Sequence, residues 1–206
     1  MKIELHLHTL RYSLCATATP EEAMDRLIQT GYDAVYITEH DAAWTDWELV
    51  ELQRKFPAIK IYGGIEITAS PSKSQGVQHL LVLGTNDRSY LDLAEDPAEI
   101  LAHARREGCL TILAHPFRWP GAAQMLQEGL LPDALEYHTC NLDAAQARQA
   151  MREAKRLGLP AVNSGDVHGL GFIDRFWIET DLALEDGKGI RGIVKSGLYR
   201  NCKRAD

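Results

Sequence analysis

Glu4-Leu5-His6-Leu7-His8-Thr9 is a short apolar segment that carries His-x-His close to the amino terminus. Alternate residues of a strand share a face, so His6 and His8 can grip one metal ion from a strand end. Alone, such a pair more often marks a polar strand face. The rest of the chain favours the metal reading. Later apolar runs begin or end with His40, Glu66, His79, His115 and the pair Asp166 and His168, each beside an expected strand terminus.

Outward from that segment, strand and helix patterns alternate. Thr19-Pro20-Glu21-Glu22 is a capping box, and Ala23, Met24, Leu27 and Ile28 form an apolar stripe that stops at Gly31. Ala34 to Thr38 reads as a buried strand delivering Glu39-His40-Asp41 into a loop. A helix over Thr45 to Lys55 precedes a strand from Ile59 to Ile67, interrupted by Gly63-Gly64 and carrying Glu66. A capped helix from Asp96 to Gly108 leads to Leu110–Ala114, which runs into His115-Pro116. Ala134 to Tyr137 is the next strand, Ala144 to Leu157 a helix closed by Gly158, and Pro160 to Asn163 a strand before Ser164-Gly165-Asp166-Val167-His168. Arg175 to Glu179 and a weak helix over Ile190 to Lys195 complete the pattern.

This alternation predicts an α/β fold with a parallel sheet. A closed barrel suits the polar residues better than an open sheet, because every loop after a strand opens onto one face, where those residues can converge. No GxGxxG or GxxxxGK[ST] phosphate loop occurs. His79 precedes its strand, Leu80 to Leu83, and a parallel strand there would place it on the wrong face. The connection from Ala69 to Gln78 is too polar for a crossover helix, so an antiparallel hairpin is expected, with Glu66 and His79 at the same end.

At 206 residues and 45% hydrophobic content, with no composition break, the chain is expected to form one domain over residues 1–206. A net charge of -7 argues against non-specific nucleic-acid binding. Cys15, Cys109, Cys140 and Cys202 have no CxxC spacing, which fits a reducing, cytoplasmic setting. No apolar run reaches the length of a membrane span, and no export segment is recognised.

HLHTLRYS at residues 6–13, ITEHD at 37–41, GIEIT at 64–68, HLLVLG at 79–84, AHPFR at 114–118, ALEYHTCN at 134–141 and GDVH at 165–168 resemble, in order, the motifs of the PHP family, named for polymerase and histidinol phosphatase domains. The resemblance spans essentially the whole chain. It implies a distorted seven-stranded (β/α) TIM-like barrel, in a short form without the insertion of nucleotide-directed members, holding two or three divalent ions such as zinc, manganese or iron. Carried over residue by residue, it implies that His6, His8, Glu66 and Asp166 surround one metal. Glu66 bridges to a second held by His79 and His115, and His40 and His168 contribute to a third. His6, His8, Glu66, His115, Asp166 and His168 form the implied catalytic set. The chain departs from the family at Ser13-Leu14-Cys15, where relatives place an aspartate or histidine, and at Glu39, where they have aspartate. Cys15 is either a substitute thiolate ligand or an ordinary loop cysteine.

The implied activity is metal-dependent hydrolysis of a small phosphorylated metabolite, such as a histidinol-phosphate-like monoester. Hydroxide generated beside a cation pair attacks phosphorus directly, with no serine or cysteine nucleophile. Arg118, just past His115-Pro116, is placed to take a phosphate oxygen; Arg11 and Arg175 are weaker candidates. Glu136 and His138 alternate on a strand end and suit orientation of a ligand, protonation of a leaving group or a plain polar rim. His103 and the tryptophans read as packing residues, although Trp119 could wall a substrate. The competing readings are a metal-binding domain without hydrolysis and, less favoured, a nuclease.

Overall fold

The computed structural model describes residues 1–70, 76–119 and 121–205; residues 71–75 of the expected hairpin connection lie outside them. Nine strands form one sheet: β1 (Lys2–Leu7), β2 (Ala34–His40), β3 (Lys60–Ala69), β4 (Gln78–Leu83), β5 (Leu110–Leu113), β6 (Ala134–Glu136), β7 (Ala161–Val162), β8 (Phe176–Glu179) and β9 (Arg200–Lys203), in the order β7-β6-β5-β4-β3-β2-β1-β8-β9. Strand β4 is antiparallel to both β3 and β5, as the polar connection predicted, and Thr68 pairs with His79. Strand β8 is reversed against β1, and β9 is reversed again, so β9 points the same way as β1.

The sheet curls into a nearly closed barrel. Its two end strands meet through side chains: the Asn163 amide donates to Asn201 Oδ1 at 2.7 Å, and Asn201 Nδ2 donates to the Ala161 carbonyl at 2.7 Å. At the carboxyl rim, Val167 pairs with Leu7; the His8 amide donates to the Val167 carbonyl at 2.9 Å and the Val167 amide to the His6 carbonyl at 3.0 Å. The expected count of seven strands is therefore corrected to nine among the described residues. Arg200–Lys203 went unseen because its four residues are polar or half-exposed and show no alternation.

Local chemistry accounts for the helices. Thr19, Thr45 and Asp143 each make a complete capping box for α1 (Pro20–Gln29), α2 (Asp46–Lys55) and, past the seven-residue α4 (Gly121–Gln127), α5 (Ala144–Leu157). Asp96 caps α3 (Pro97–Glu107). Each cap is worth about 1 kcal/mol. α4 has neither an acidic first turn nor a basic last turn, and the sequence pattern did not reveal it. Gly63 and Gly64 do not interrupt β3. A Cβ on Gly64 would lie 2.9 Å from both Leu83 Cδ2 and Thr38 Cγ2, so glycine lets three strands pack closely there.

The inward side chains form one cluster, including Ile3, Leu5, Tyr36, Leu81, Ile112 and Ile178, and α6 (Gly189–Ser196) adds Ile190, Ile193 and Val194 to it. Leu7 belongs instead to an outer cluster with α1 and α2. A register shift explains the change of face: Glu4 pairs with Val35 but Leu7 with Ile37, three residues of β1 advancing against two of β2. The Leu5 and His6 amides freed by this bulge both donate to Glu4 Oε1, at 3.0 and 3.1 Å. His6 and His8 are thereby turned toward the barrel's interior. Among the described residues, no helix is long and apolar enough to cross a membrane.

Helix α6 is held at the amino-terminal end of β6 by Asp133, which accepts from Arg191 Nε at 3.0 Å and Nη2 at 3.1 Å. Burial opposes ionisation of Asp133, but Arg191, the Thr111 amide and Lys195 outweigh it and hold its carboxyl below the ordinary range. A depressed folded pKa stabilises above the unfolded value and is lost in acid. We predict that Asp133→Asn costs about 1–3 kcal/mol at neutral pH. In thermal melts the gap to the wild type should hold down to the usual aspartate value and close as pH falls below it toward the lower value of the folded protein; a pH-independent gap would exclude the ion pair as its source.

Candidate metal centre

Six strand-end segments deliver eight side chains to one point at the carboxyl rim. Glu66, near the end of β3, is fully buried and lies at its centre. Its Oε1 is 2.7 Å from His79 Nδ1 and 2.9 Å from His115 Nε2, and its Oε2 is 2.8 Å from His40 Nδ1, 3.2 Å from His8 Nε2 and 3.3 Å from His6 Nε2. Asp166 Oδ1 is 3.4 Å from the Nε2 atoms of His6 and His8 and 3.3 Å from His168 Nδ1. Three groups of ligand atoms lie close enough to share an ion: His6, His8 and Asp166; His40, Glu66 and His79; and His8, His40 and His168. His40 thus stands between two groups, where the resemblance implied only one. His115 touches Glu66 without joining a group of three, and Cys15 is exposed and joins none of these groups.

The tautomers are set from behind. His6 Nδ1 lies 2.7 Å from Glu136 Oε1, and the same buried oxygen accepts the Ser164 hydroxyl at 2.5 Å. On the other side, Glu39 accepts from the Thr9 amide at 3.0 Å, the Ser13 hydroxyl at 2.5 Å and Trp44 Nε1 at 3.1 Å. Ser13 Oγ, its proton directed to Glu39, then accepts from His8 Nδ1 at 3.3 Å. Both Nδ1 atoms are committed as donors, so both Nε2 lone pairs point forward. They face each other at 2.9 Å, above Glu66 Oε2 and Asp166 Oδ1, two buried oxygens without a hydrogen-bond partner. Opposed lone pairs over unpartnered carboxylate oxygens need a positive charge between them. This donor set of imidazoles and carboxylates fits a zinc-, manganese- or iron-like ion.

The electrostatics show the same demand for positive charge. Burial opposes charge on every member, yet His6 and the carboxylates Asp166 and Glu66 favour one another strongly enough to raise the imidazole well above its usual value and to lower both acids well below theirs. Glu4 behaves oppositely. Burial pushes its carboxyl up to about 8, against the pull of the Gly165 and His6 amides. Its Oε1 accepts from the Gly165 amide at 2.7 Å, tying β1 to the loop that carries Asp166. Gly165 has to be glycine for this contact, since a Cβ would lie 2.5 Å from Val167 Cγ2 and 2.7 Å from Glu4 Oε2. Asp166 and His115 both adopt positive φ, at 46° and 28°, a conformation costing about 1–3 kcal/mol at residues with a Cβ.

Asn141 Nδ2 donates to Asp166 Oδ2 at 2.6 Å, and Trp119 packs on His79 and His115 with ring centroids 4.8 and 5.2 Å apart. Arg118 is exposed beside that indole, 4.8 Å from its ring centroid, at the edge of the cluster. Arg11 is bound to Glu48 and turned from the site, His138 stacks on Phe176, and His103 packs on Tyr90. The supporting roles of Glu4, Ser13, Ser164 and Asn141 had no spacing signal. The one clue was that they neighbour the ligand candidates.

Residues 4–96 match the PHP domain family, which bears out the resemblance carried by the motifs. No curated protein gives a significant sequence match. Among solved structures, a two-domain protein from Bacteroides vulgatus containing a predicted PHP-like metal-dependent phosphoesterase aligns with a TM-score of 0.71 at 16% identity, over 99% of this chain and 65% of that one. The chain thus spans less than two thirds of that relative's length. A protein of Bifidobacterium adolescentis designated a metal-dependent phosphoesterase aligns at 0.63 and 16% identity, and an amidohydrolase of Chromobacterium violaceum with bound sulfate and no metal at 0.63 and 14%, each over 82% of this chain and 88% of its own. At such identities the likeness is one of fold.

If the cluster is a metal centre, gently purified protein supplemented with Zn²⁺ or Mn²⁺ should carry stoichiometric metal by elemental analysis, and Glu66→Gln should lose it. Glu136→Gln and Ser13→Ala should keep the fold by circular dichroism yet weaken metal affinity about 10–100-fold, the usual cost of removing a partner behind a ligand. Unchanged affinity in both variants would discard the orienting role.

Proposed function

We propose that the protein is a metal-dependent phosphoesterase that hydrolyses a small phosphomonoester. The observation that carries the reading is the pair of Nε2 lone pairs of His6 and His8, opposed over Glu66 and Asp166 in a chain whose residues 4–96 match the PHP domain family. His6, His8, Glu66 and Asp166 would hold one ion, and Glu66 with His40, His79 and His115 a second. Bound there, divalent cations supply Lewis acidity toward phosphate oxygens and a water acidic enough to attack phosphorus near neutral pH.

The chain's own residues supply the rest. Glu136 and the Glu39–Ser13 pair hold the imidazoles in the tautomer that aims Nε2 forward. Arg118 stands where its planar fork can take a non-reacting phosphate oxygen, and Trp119 offers an apolar wall next to His79. The third group, His8, His40 and His168, contains no carboxylate and Cys15 does not join it, which favours two strongly held ions over three.

Hydrolysis should be measured as phosphate release from a panel of phosphomonoesters, phenol release from an aryl diester and strand cleavage of a single-stranded oligonucleotide, with Mn²⁺, Zn²⁺ and Fe²⁺ each added. We expect monoester hydrolysis, with kcat/KM lowered on the order of 1,000-fold by His115→Ala or Asp166→Ala. Metal-loaded protein that hydrolyses none of them would replace this reading by a metal-binding domain, and preferential cleavage of the oligonucleotide would replace it by a nuclease.

A further inference from the structure

A cavity of about 670 Å³ opens at the same rim, between the loop after β6, the loop after β7 and the end of β9. Strand β9 runs parallel to β1, and Lys203 pairs with Phe176, so its last residues emerge at the carboxyl rim and not at the far end of the barrel. Arg175, Lys203 and Arg204 line the cavity together with His138. Among the described residues none of these three cations has a carboxylate within ion-pair distance, whereas the chain as a whole carries -7. Among the described residues the cavity's one acidic lining residue, Asp143, is already engaged: its Oδ1 accepts the Ala145 and Gln146 amides at 2.7 and 2.8 Å as the cap of α5.

Three exposed cations with no carboxylate partner among the described residues, gathered around one concavity of an acidic protein, raise the local potential and favour an anion between them. A volume of this size holds a small ligand group with its hydration. The cavity is also continuous in chain with the metal centre. Leu142, which lines it, follows Asn141, whose side chain holds Asp166 at 2.6 Å. The metal centre itself belongs to the scissile phosphate, so these cations serve another group.

We infer that Arg175, Lys203 and Arg204 form a second anion subsite, and that the substrate is a phosphomonoester bearing a further phosphate or carboxylate remote from the scissile ester. The inference rests on the phosphoesterase reading for the identity of the first group. Arg175 presents a fork suited to either anion, held by its Nε donating to the Gly171 carbonyl at 3.1 Å, and the Arg204 amide donates to the Arg175 carbonyl at 3.0 Å, which keeps the two side chains on one rim.

The test uses metal-loaded protein and non-hydrolysable probes in calorimetry: alkyl monophosphonates, the α,ω-bisphosphonates and the ω-carboxyl phosphonates of two to six carbons. Parallel hydrolysis assays use the corresponding phosphate esters. The best two-anion probe should bind about tenfold or more tighter than its one-anion counterpart, the size of one charge-assisted contact. That ratio should shrink with added salt and collapse toward one in Arg175→Ala/Lys203→Ala, while Arg175→Lys/Lys203→Arg retains most of it. Whichever of the bisphosphonate and carboxyl series gains more identifies the second group. A ratio of one in the wild type, or one untouched by the alanine pair, overturns the subsite even if monoesters are hydrolysed. A ratio that behaves as expected without hydrolysis of any ester leaves the subsite standing and removes the phosphoesterase reading.

Discussion

Three carboxylates without access to water, Glu66, Asp166 and Glu136, stand behind a ring of imidazoles at one end of the barrel, and the charge balance among them governs the rest of the architecture. A buried ion left uncompensated costs several kcal/mol, on the order of 3–5 where a partner is missing. Glu136 is compensated by protein alone, through His6 Nδ1, the Ser164 hydroxyl and the His115 amide at 2.5 Å. Glu66 and Asp166 are not, because each keeps an oxygen with no hydrogen bond. Protons on the surrounding imidazoles can settle part of that deficit, but only by spending the lone pairs that make imidazole a ligand. A cation settles it without that loss, which is why the donor set points to metal instead of to a self-contained polar network.

Such a cluster needs backbone placed to within fractions of an ångström, and the fold obtains this at visible local expense. The bulge in β1 reverses the face of the strand between Leu5 and Leu7, and the same Glu4 carboxylate that satisfies the two freed amides also holds Gly165. One buried side chain therefore fixes the positions of His6 and Asp166 relative to each other, although they lie 160 residues apart in sequence. Positive φ at His115 and Asp166 adds strain at two further ligand candidates. The stable apolar clusters, packed inside the barrel and beneath α1, α2 and α3, oppose this expense.

Much of this was legible in the chain. The capping box at Thr19, the Asp96 cap and the αL glycines Gly108 and Gly158 marked helix ends within a residue or two, because capping is a local contract between backbone and side chain. The hairpin of β3 and β4 followed from the composition of one connection. The count of strands did not follow, since β9 is short, polar and stabilised by Asn201 and by pairing with β8, neither of which leaves periodicity. At the site, the ligand candidates stood out as polar residues ending apolar runs. Their partners did not: Ser13 and Ser164 are ordinary loop residues until the fold brings Glu39 and Glu136 to them. Non-local hydrogen bonding has no signature in a single sequence.

The sign of the charge at this rim bears on how any anionic ligand reaches it. Without metal, Glu66 and Asp166 stay ionised because the protonated His6 imidazole compensates them, inside a protein of net charge -7. Divalent ions bound there would take over that compensation and, on the phosphoesterase reading, would supply the positive charge that a phosphate group meets at close range. Arg118, beside Trp119, and the cations that line the cavity between the loops after β6 and β7 raise the potential of an otherwise acidic surface. On the phosphoesterase reading, that is the charge an anion meets before it reaches a nest of carboxylates, a requirement that a purely structural metal site does not have.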